Sequence, residues 1–275
     1  MKPKKTIVML SLFAFLSYSA SGFGEDKKKD SFLDCVLEDQ AAILTSPFRM
    51  KGTDWLLWGS VGLVTGVMIA NDEEIYRDIK EFQARNGWVD KISPVVTRLG
   101  DGLVNLGIAG SFYLGGLLFK NSQAKDTARL LLMTFIHTGI ISQLLKHLTG
   151  RQRPSVDDGQ DYWHGPSGFF KRYTDDSSKY DAFPSGHTIV AWGTATVIST
   201  LYKKKVLVPV FCYFLATLVA LSRVTEDTHW LSDVFLGAVL GYAIGRGVVK
   251  KRSHKWNLIP AVRSDGVGIG VCYVF

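Results

Sequence analysis

The sequence is poor in the residues that would fasten a small secreted domain. It has three cysteines in 275 residues, Cys35, Cys212 and Cys272, odd in number and far apart. They form no disulfide framework and no zinc-ligand spacing, and Cys212, within an apolar stretch, reads as a buried thiol. None lies near the N-terminal segment, which argues against a lipoprotein anchor. No cluster of Asp and Glu suggests a metal site. Charge is not in excess, at 21% of residues, and apolar residues make up 47%; that excludes a disordered or low-complexity chain. There is also no very long hydrophobic run. Six apolar stretches occur, Trp55–Ala70, Leu103–Phe119, Ala128–Leu145, His187–Tyr202, Val206–Ser222 and Leu231–Val249, each of 16 to 19 residues. As helices they would reach roughly 24–28 Å, just short of a hydrocarbon core of about 30 Å.

What is present is positive charge in short clusters. The chain carries 32 Lys+Arg against 25 Asp+Glu, a net +7. A nucleic-acid partner is not the reading, because the cations sit between the apolar stretches: Lys2/Lys4/Lys5, Lys27-Lys28-Lys29, Lys203-Lys204-Lys205 and Lys250-Lys251-Arg252. Basic residues flanking spans are a membrane pattern. Glycines at helical spacing, Gly107, Gly110, Gly115 and Gly116 in one run and Gly237, Gly241 and Gly245 in another, allow close helix approach in a bundle. The expected fold class is all-α: a polytopic membrane bundle of about six short helices. A mean hydropathy of only +0.11 is accounted for by polar segments around the bundle.

The expected organisation has four parts. Residues 1–22 have a basic start, an apolar run at Thr6–Leu16 and small residues at Ser17–Gly22, the layout of an export signal peptide or signal anchor. Residues 23–54 are polar, with a short helix around Phe32–Leu44. Residues 55–249 form the helical domain. Residues 250–275 are a basic linker and a β-hairpin-like tail, since Val267, Ile269, Val271, Tyr273 and Phe275 alternate at period two after a turn at Arg263–Gly266.

Three clusters at the ends of apolar runs carry chemistry. The first holds Lys146 and, after Gly150, Arg151, Arg153 and Pro154; the second is Pro184-Ser185-Gly186-His187; the third is Ser222-Arg223, then His229, then Asp233. His229 and Asp233 are four apart, so on one helix they share a face, and a carboxylate there can fix an imidazole tautomer. Ser185 and the Gly186 amide at a helix N-terminus make an anion site, and His187 beside them is placed for general acid work. Lys146, Arg153 and Arg223 supply the cations a phosphoryl group needs when no metal provides them. Arg151 is a further cation, but the spacing favours Arg153. His137 reads as an interhelical hydrogen-bond partner, and His147, His164 and His254 as solvated. The long loop Ser155–Ala182, with Tyr162-Trp163-His164 and Phe169–Tyr173, could read a headgroup at the bilayer surface or simply cap the site.

Lys146 with Arg153-Pro154, the Pro184–His187 run, and Ser222-Arg223 with His229 and Asp233 together resemble the three-part motif of the type 2 phosphatidic acid phosphatase family, over about residues 55–249. The superfamily also contains acid phosphatases and vanadium haloperoxidases. The resemblance implies a phosphatase without a cofactor or metal. In it, the residue at His229 forms a phosphohistidine, Asp233 orients it, and His187 protonates the leaving oxygen and then activates water. Lys146, Arg153, Ser185, Gly186 and Arg223 hold the phosphate. The expected substrate is a membrane lipid phosphate; the alternatives are a broad-specificity periplasmic acid phosphatase, a haloperoxidase or an inactive membrane scaffold. All three clusters fall on one side of the array, and the basic clusters on the other. The positive-inside rule then gives a bacterial inner-membrane protein with its site facing the periplasm. Six spans so oriented would leave residues 23–54 in the cytoplasm, whereas a cleaved signal would leave them outside. The two expectations exclude each other, and Trp55–Ala70 is the run whose failure to span would reconcile them.

Overall fold

The computed structural model describes residues 31–156, 163–168, 179–252, 257–263 and 266–272. The signal segment, the 20–22 cleavage region, Tyr162, the aromatic-basic stretch 169–173 and His254 therefore lie outside the described residues. Among the described residues, eight α-helices have ten residues or more: α1 (Phe32–Leu44), α2 (Gly52–Arg85), α3 (Trp88–Thr97), α4 (Gly102–Leu118), α5 (Ser122–Thr149), α6 (Gly186–Leu201), α7 (Leu207–Thr225) and α8 (Leu231–Arg252). A ninth is a single turn at residues 165–168.

The expected architecture of about six short helices with a hairpin-like tail is corrected. Apolar runs do not mark the full lengths of the helices. In α2 the run ends at Ala70, yet Asn71–Arg85 is polar, rich in helix formers and free of Gly and Pro, so the helix continues to 34 residues. Short α3, polar along one face, lacks an apolar run altogether. Among the described residues, four helices are long and apolar enough to cross a membrane, α2, α5, α7 and α8. Residues 257–263 and 266–272 pair antiparallel with each other, Val262 opposite Val267, in a two-stranded ribbon. The ribbon joins no larger sheet among the described residues, and the fold itself is built from the helices.

The exposed side chains of α2 include Trp55, Leu56, Leu57, Leu63 and Val67, and those of α7 include Leu207, Val210, Phe211 and Phe214. Contiguous apolar surface of this kind is at home in lipid. The chain is a membrane protein.

The centre of the bundle is α6, packed against α5, α7 and α8, with Leu130, Met133, Ile189, Val197, Ile244 and Val248 in the main core. One glycine stripe makes the α6–α8 contact. A Cβ at Gly237 would lie 3.0 Å from the Ser185 carbonyl oxygen, and one at Gly245 would lie 2.8 Å from that of Gly193. Gly107, Gly110 and Gly115 meet nothing within 4 Å, so of the second expected stripe it is Gly116 that serves a close approach: a Cβ there would lie 2.8 Å from Lys125 N and 3.0 Å from the Asn121 carbonyl oxygen, at the start of α5.

Helix α1 docks at one end of the bundle. Arg252, at the end of α8, donates from Nε to Asp39 Oδ2 at 3.0 Å, and Arg129 of α5 donates to the Arg252 carbonyl at 2.9 Å. His137 meets Gln40 at 2.9 Å, the interhelical partnership expected of it. About 30 Å away along α8 lies the end that carries the three clusters.

Candidate active site

Helix α5 ends at Gly150, whose φ of +52° and ψ of +38° form a left-handed cap that glycine adopts without strain. A Cβ there would also collide with the Gly165 carbonyl. The chain past this cap runs beside residues 179–182: Arg153 N donates to the Lys179 carbonyl and Ala182 N to the Arg151 carbonyl, both at 2.9 Å. The pairing brings the first cluster to the second. Ser185 caps α6, its Oγ accepting from Thr188 N and, at 2.9 Å, from Thr188 Oγ1. Ser185 N donates to the Asp233 carbonyl at 3.1 Å, joining the second cluster to the third.

The spacing from Arg223 to His229 has a backbone explanation. The Arg223 carbonyl accepts from Thr228 N and His229 N at 3.2 Å each and from Thr228 Oγ1 at 2.7 Å. One acceptor thus closes the loop between α7 and α8. Asp233, in the first turn of α8, caps it by accepting from Trp230 N at 2.8 Å.

His229 is 2% exposed, and its Nδ1 lies 2.7 Å from the Ala182 carbonyl oxygen and 3.7 Å from Asp233 Oδ2. A carbonyl only accepts, so Nδ1 carries the hydrogen and Nε2 keeps its lone pair. Burial, followed by the cations Lys146, Arg153 and Arg223, holds the imidazole pKa well below its usual value, with Asp181 pulling the other way. His229 is accordingly neutral at neutral pH.

The cations gather around it already engaged. Lys146 Nζ donates to the Asp181 carbonyl at 2.7 Å and to its carboxylate at 3.3 Å. Arg153 Nε donates to Asp181 Oδ1 at 2.8 Å. Arg223 Nη1 donates to Glu226 at 2.7 Å and to Thr97, while its Nε is buried without a hydrogen-bond partner among the described residues. A Cβ on Gly186 would stand 3.9 Å from Lys146 Cε, so the N-terminus of α6 is beside this cluster. His187 Nε2 lies 2.8 Å from Asp101 Oδ1. All eight residues singled out in the sequence are thus at one end of the bundle.

Four residues that the sequence did not single out as site residues join them: Asp72, Asp101, Asp181 and, in a different place from that expected, Arg151. Arg151 faces away from the phosphate cluster. It is 2% exposed, bonds Asp72, Ser232 and Asp233, and lies 4.7 Å from the Trp163 ring centroid. A legible signal for part of this was the four-residue spacing of Asp72, Tyr76 and Lys80 in α2. Tyr76 donates to Asp227 at 2.8 Å and Lys80 pairs with it at 2.9 Å. Among the described residues, no group of three or more His, Cys, Asp or Glu is placed to hold a metal ion.

A helical membrane bundle with cations, two imidazoles and a helix N-terminus converging at one end defines the class, and the comparisons agree with it. Residues 127–256 match the PAP2 superfamily. A lipid A 1-phosphatase of Porphyromonas gingivalis is 34% identical over 28% of this chain and 17% of its own length. Lipid phosphate phosphatase 1 of Arabidopsis thaliana is 28% identical over 40% of each chain. Among solved structures, LpxE of Aquifex aeolicus superposes with a TM-score of 0.49 at 23% identity, over 64% of this chain and 93% of its own. The chain therefore spans less than half the length of either curated relative it matches here.

Proposed function

We propose that the protein is a phosphatase of membrane lipid phosphates working through a phosphohistidine. The observation that carries this is the state of His229: neutral, with its hydrogen on Nδ1, among three cations. Nε2 attacks phosphorus as the bond from phosphorus to the leaving oxygen breaks, and His187 gives that oxygen its proton. Water then attacks phosphorus, giving a proton to His187, as the phosphorus–nitrogen bond breaks and its electron pair returns to Nε2, releasing phosphate and free His229. Lys146, Arg153, Arg223 including its unpartnered Nε, Ser185 Oγ and the Gly186 amide hold the phosphate oxygens as charge develops. Asp233 steadies the imidazolium formed in the first step. Lys146 and Arg153 exchange the Asp181 carboxylate for substrate oxygen.

The lipid assignment rests on the membrane bundle and on the names of the relatives, a lipid A phosphatase and a lipid phosphate phosphatase. We take residues 55–249 as the catalytic domain, in a bacterial inner membrane with the site facing the periplasm. Lys251 and Arg252, tied to α1, lie at the opposite end, which the positive-inside rule assigns to the cytoplasm. The test is phosphate release by the detergent-solubilised protein from lipid A, phosphatidate and p-nitrophenyl phosphate, with and without chelator. Release from the lipids that survives chelation and is abolished in His229→Ala is the expected result. Full activity in that variant would overturn the mechanism, and hydrolysis of the soluble ester alone would overturn the lipid assignment.

A further inference from the structure

Asp72 belongs to α2, outside the residues that match the superfamily, yet its carboxylate reaches the base of the site. It is 3% exposed. Oδ1 accepts from Ser232 N at 3.1 Å and Oδ2 from Arg151 Nη2 at 2.7 Å, with Ser232 Oγ donating to Oδ2 as well. The other guanidinium nitrogen of Arg151 donates to Asp233 Oδ1 at 2.6 Å and to Ser232 Oγ at 2.7 Å. Asp233 is fully buried, and its second oxygen faces His229 Nδ1.

The result is a buried row, Asp72⁻–Arg151⁺–Asp233⁻, leading to His229. The physical question is what Arg151 would do alone. A guanidinium paired only with Asp233 would neutralise that carboxylate, leaving no net negative charge on the Asp233 side of the histidine when it becomes a phosphorylated imidazolium. A second carboxylate divides the charge of Arg151, so the row keeps a net −1 at a depth where screening by water is weak. It also fixes the guanidinium plane, and with it the rotamer of Asp233, through bonds on both sides.

We infer that Asp72 is a positioning residue for the nucleophile, acting through Arg151 on Asp233 and so on His229. The inference rests on the phosphohistidine reading above. It makes a division between kinetic constants, because the cations assigned to phosphate, Lys146, Arg153 and Arg223, have no bond to Asp72.

The experiment compares the solubilised wild type with Asp72→Asn and with Ser232→Ala. The second variant removes the hydroxyl bridging Asp72 and Arg151 while leaving all three charges. Steady-state kinetics on a lipid phosphate, single-turnover formation of the acid-labile phosphoenzyme, and thermal unfolding are measured for each. The expected result is kcat reduced about tenfold or more in Asp72→Asn and about threefold in Ser232→Ala, with KM within about twofold and phosphoenzyme formation slowed in parallel. Should Asp72→Asn fail to fold, Ser232→Ala decides by the same split. Wild-type kcat in the folded variants, or a raised KM with kcat unchanged, overturns the inference and leaves the phosphatase reading standing. A wild type that releases no phosphate overturns both.

Discussion

His187 Nε2 stands 2.8 Å from Asp101 Oδ1, and Asp101 is the residue immediately before helix α4. The contact joins the second cluster to a part of the chain 86 residues earlier. Gly100 makes it possible, since a Cβ there would come within 2.8 Å of His187 Cβ. Burial, followed by Arg223, holds the His187 pKa below its usual value, and the Asp101 carboxylate works against them, orienting the imidazole and favouring the protonated form that a general acid requires.

Asp101→Asn should therefore lower kcat by roughly tenfold, less than the 10²–10⁴-fold available to a general acid. The loss should be smaller for esters with good leaving groups, which need little protonation. Rates on a series of aryl phosphates check this; a uniform loss across the series would assign Asp101 to structure alone.

Asp181 bridges Lys146 and Arg153, two of the cations proposed to hold the substrate phosphate. In Asp181→Asn the phosphate no longer displaces or faces a carboxylate. Inorganic phosphate should then inhibit competitively about tenfold more tightly, equivalent to about 1.4 kcal/mol. Weaker inhibition would mean that Asp181 arranges the clamp instead of competing with its ligand.

The depressed pKa of His229 has a signed consequence for stability. Above about pH 6.5, the histidine is neutral in both the folded and the unfolded chain, and stability is at its full value. Below that, the unfolded chain takes up a proton that the folded site refuses, so this group's contribution falls as pH falls toward the lower folded pKa. The midpoint of thermal unfolding of the wild type, compared with His229→Ala, should show a difference that declines on acidification from pH 7 to 5. A pH-independent difference would contradict a depressed pKa.

The two glycine-rich helices should respond differently to added volume. Gly241→Leu places a side chain against the Ile189 carbonyl and the Gly193 amide and should destabilise by roughly 1–3 kcal/mol or more. Gly107→Leu, facing open space, should be tolerated. Detergent-solubilised thermal unfolding distinguishes them, and equal destabilisation would remove the close-packing argument for the α6–α8 contact.

The motif residues were legible because their chemistry depends on local spacing. Lys146 and Arg153 flank one helix end, Ser185 and Gly186 form one N-terminus, and Arg223 and His229 bracket one turn closed by a single carbonyl. The apolar runs likewise made a helical membrane protein readable, since lipid imposes a continuous apolar length on each span. Helix number was not legible: α2 extends on helix propensity beyond its run, and α3 has no run to find. Asp72, Asp101 and Asp181 were invisible for another reason. Each is an ordinary carboxylate in its own stretch, and the partners that give it meaning, Arg151, His187 and the Lys146–Arg153 pair, stand 79, 86 and 28–35 residues away. By itself, the sequence showed which cations, imidazoles and helix terminus stand at the ends of apolar runs. Only the tertiary structure decided which carboxylates stand behind them, because a buried charge takes its partner from whatever the packing of helices brings within reach.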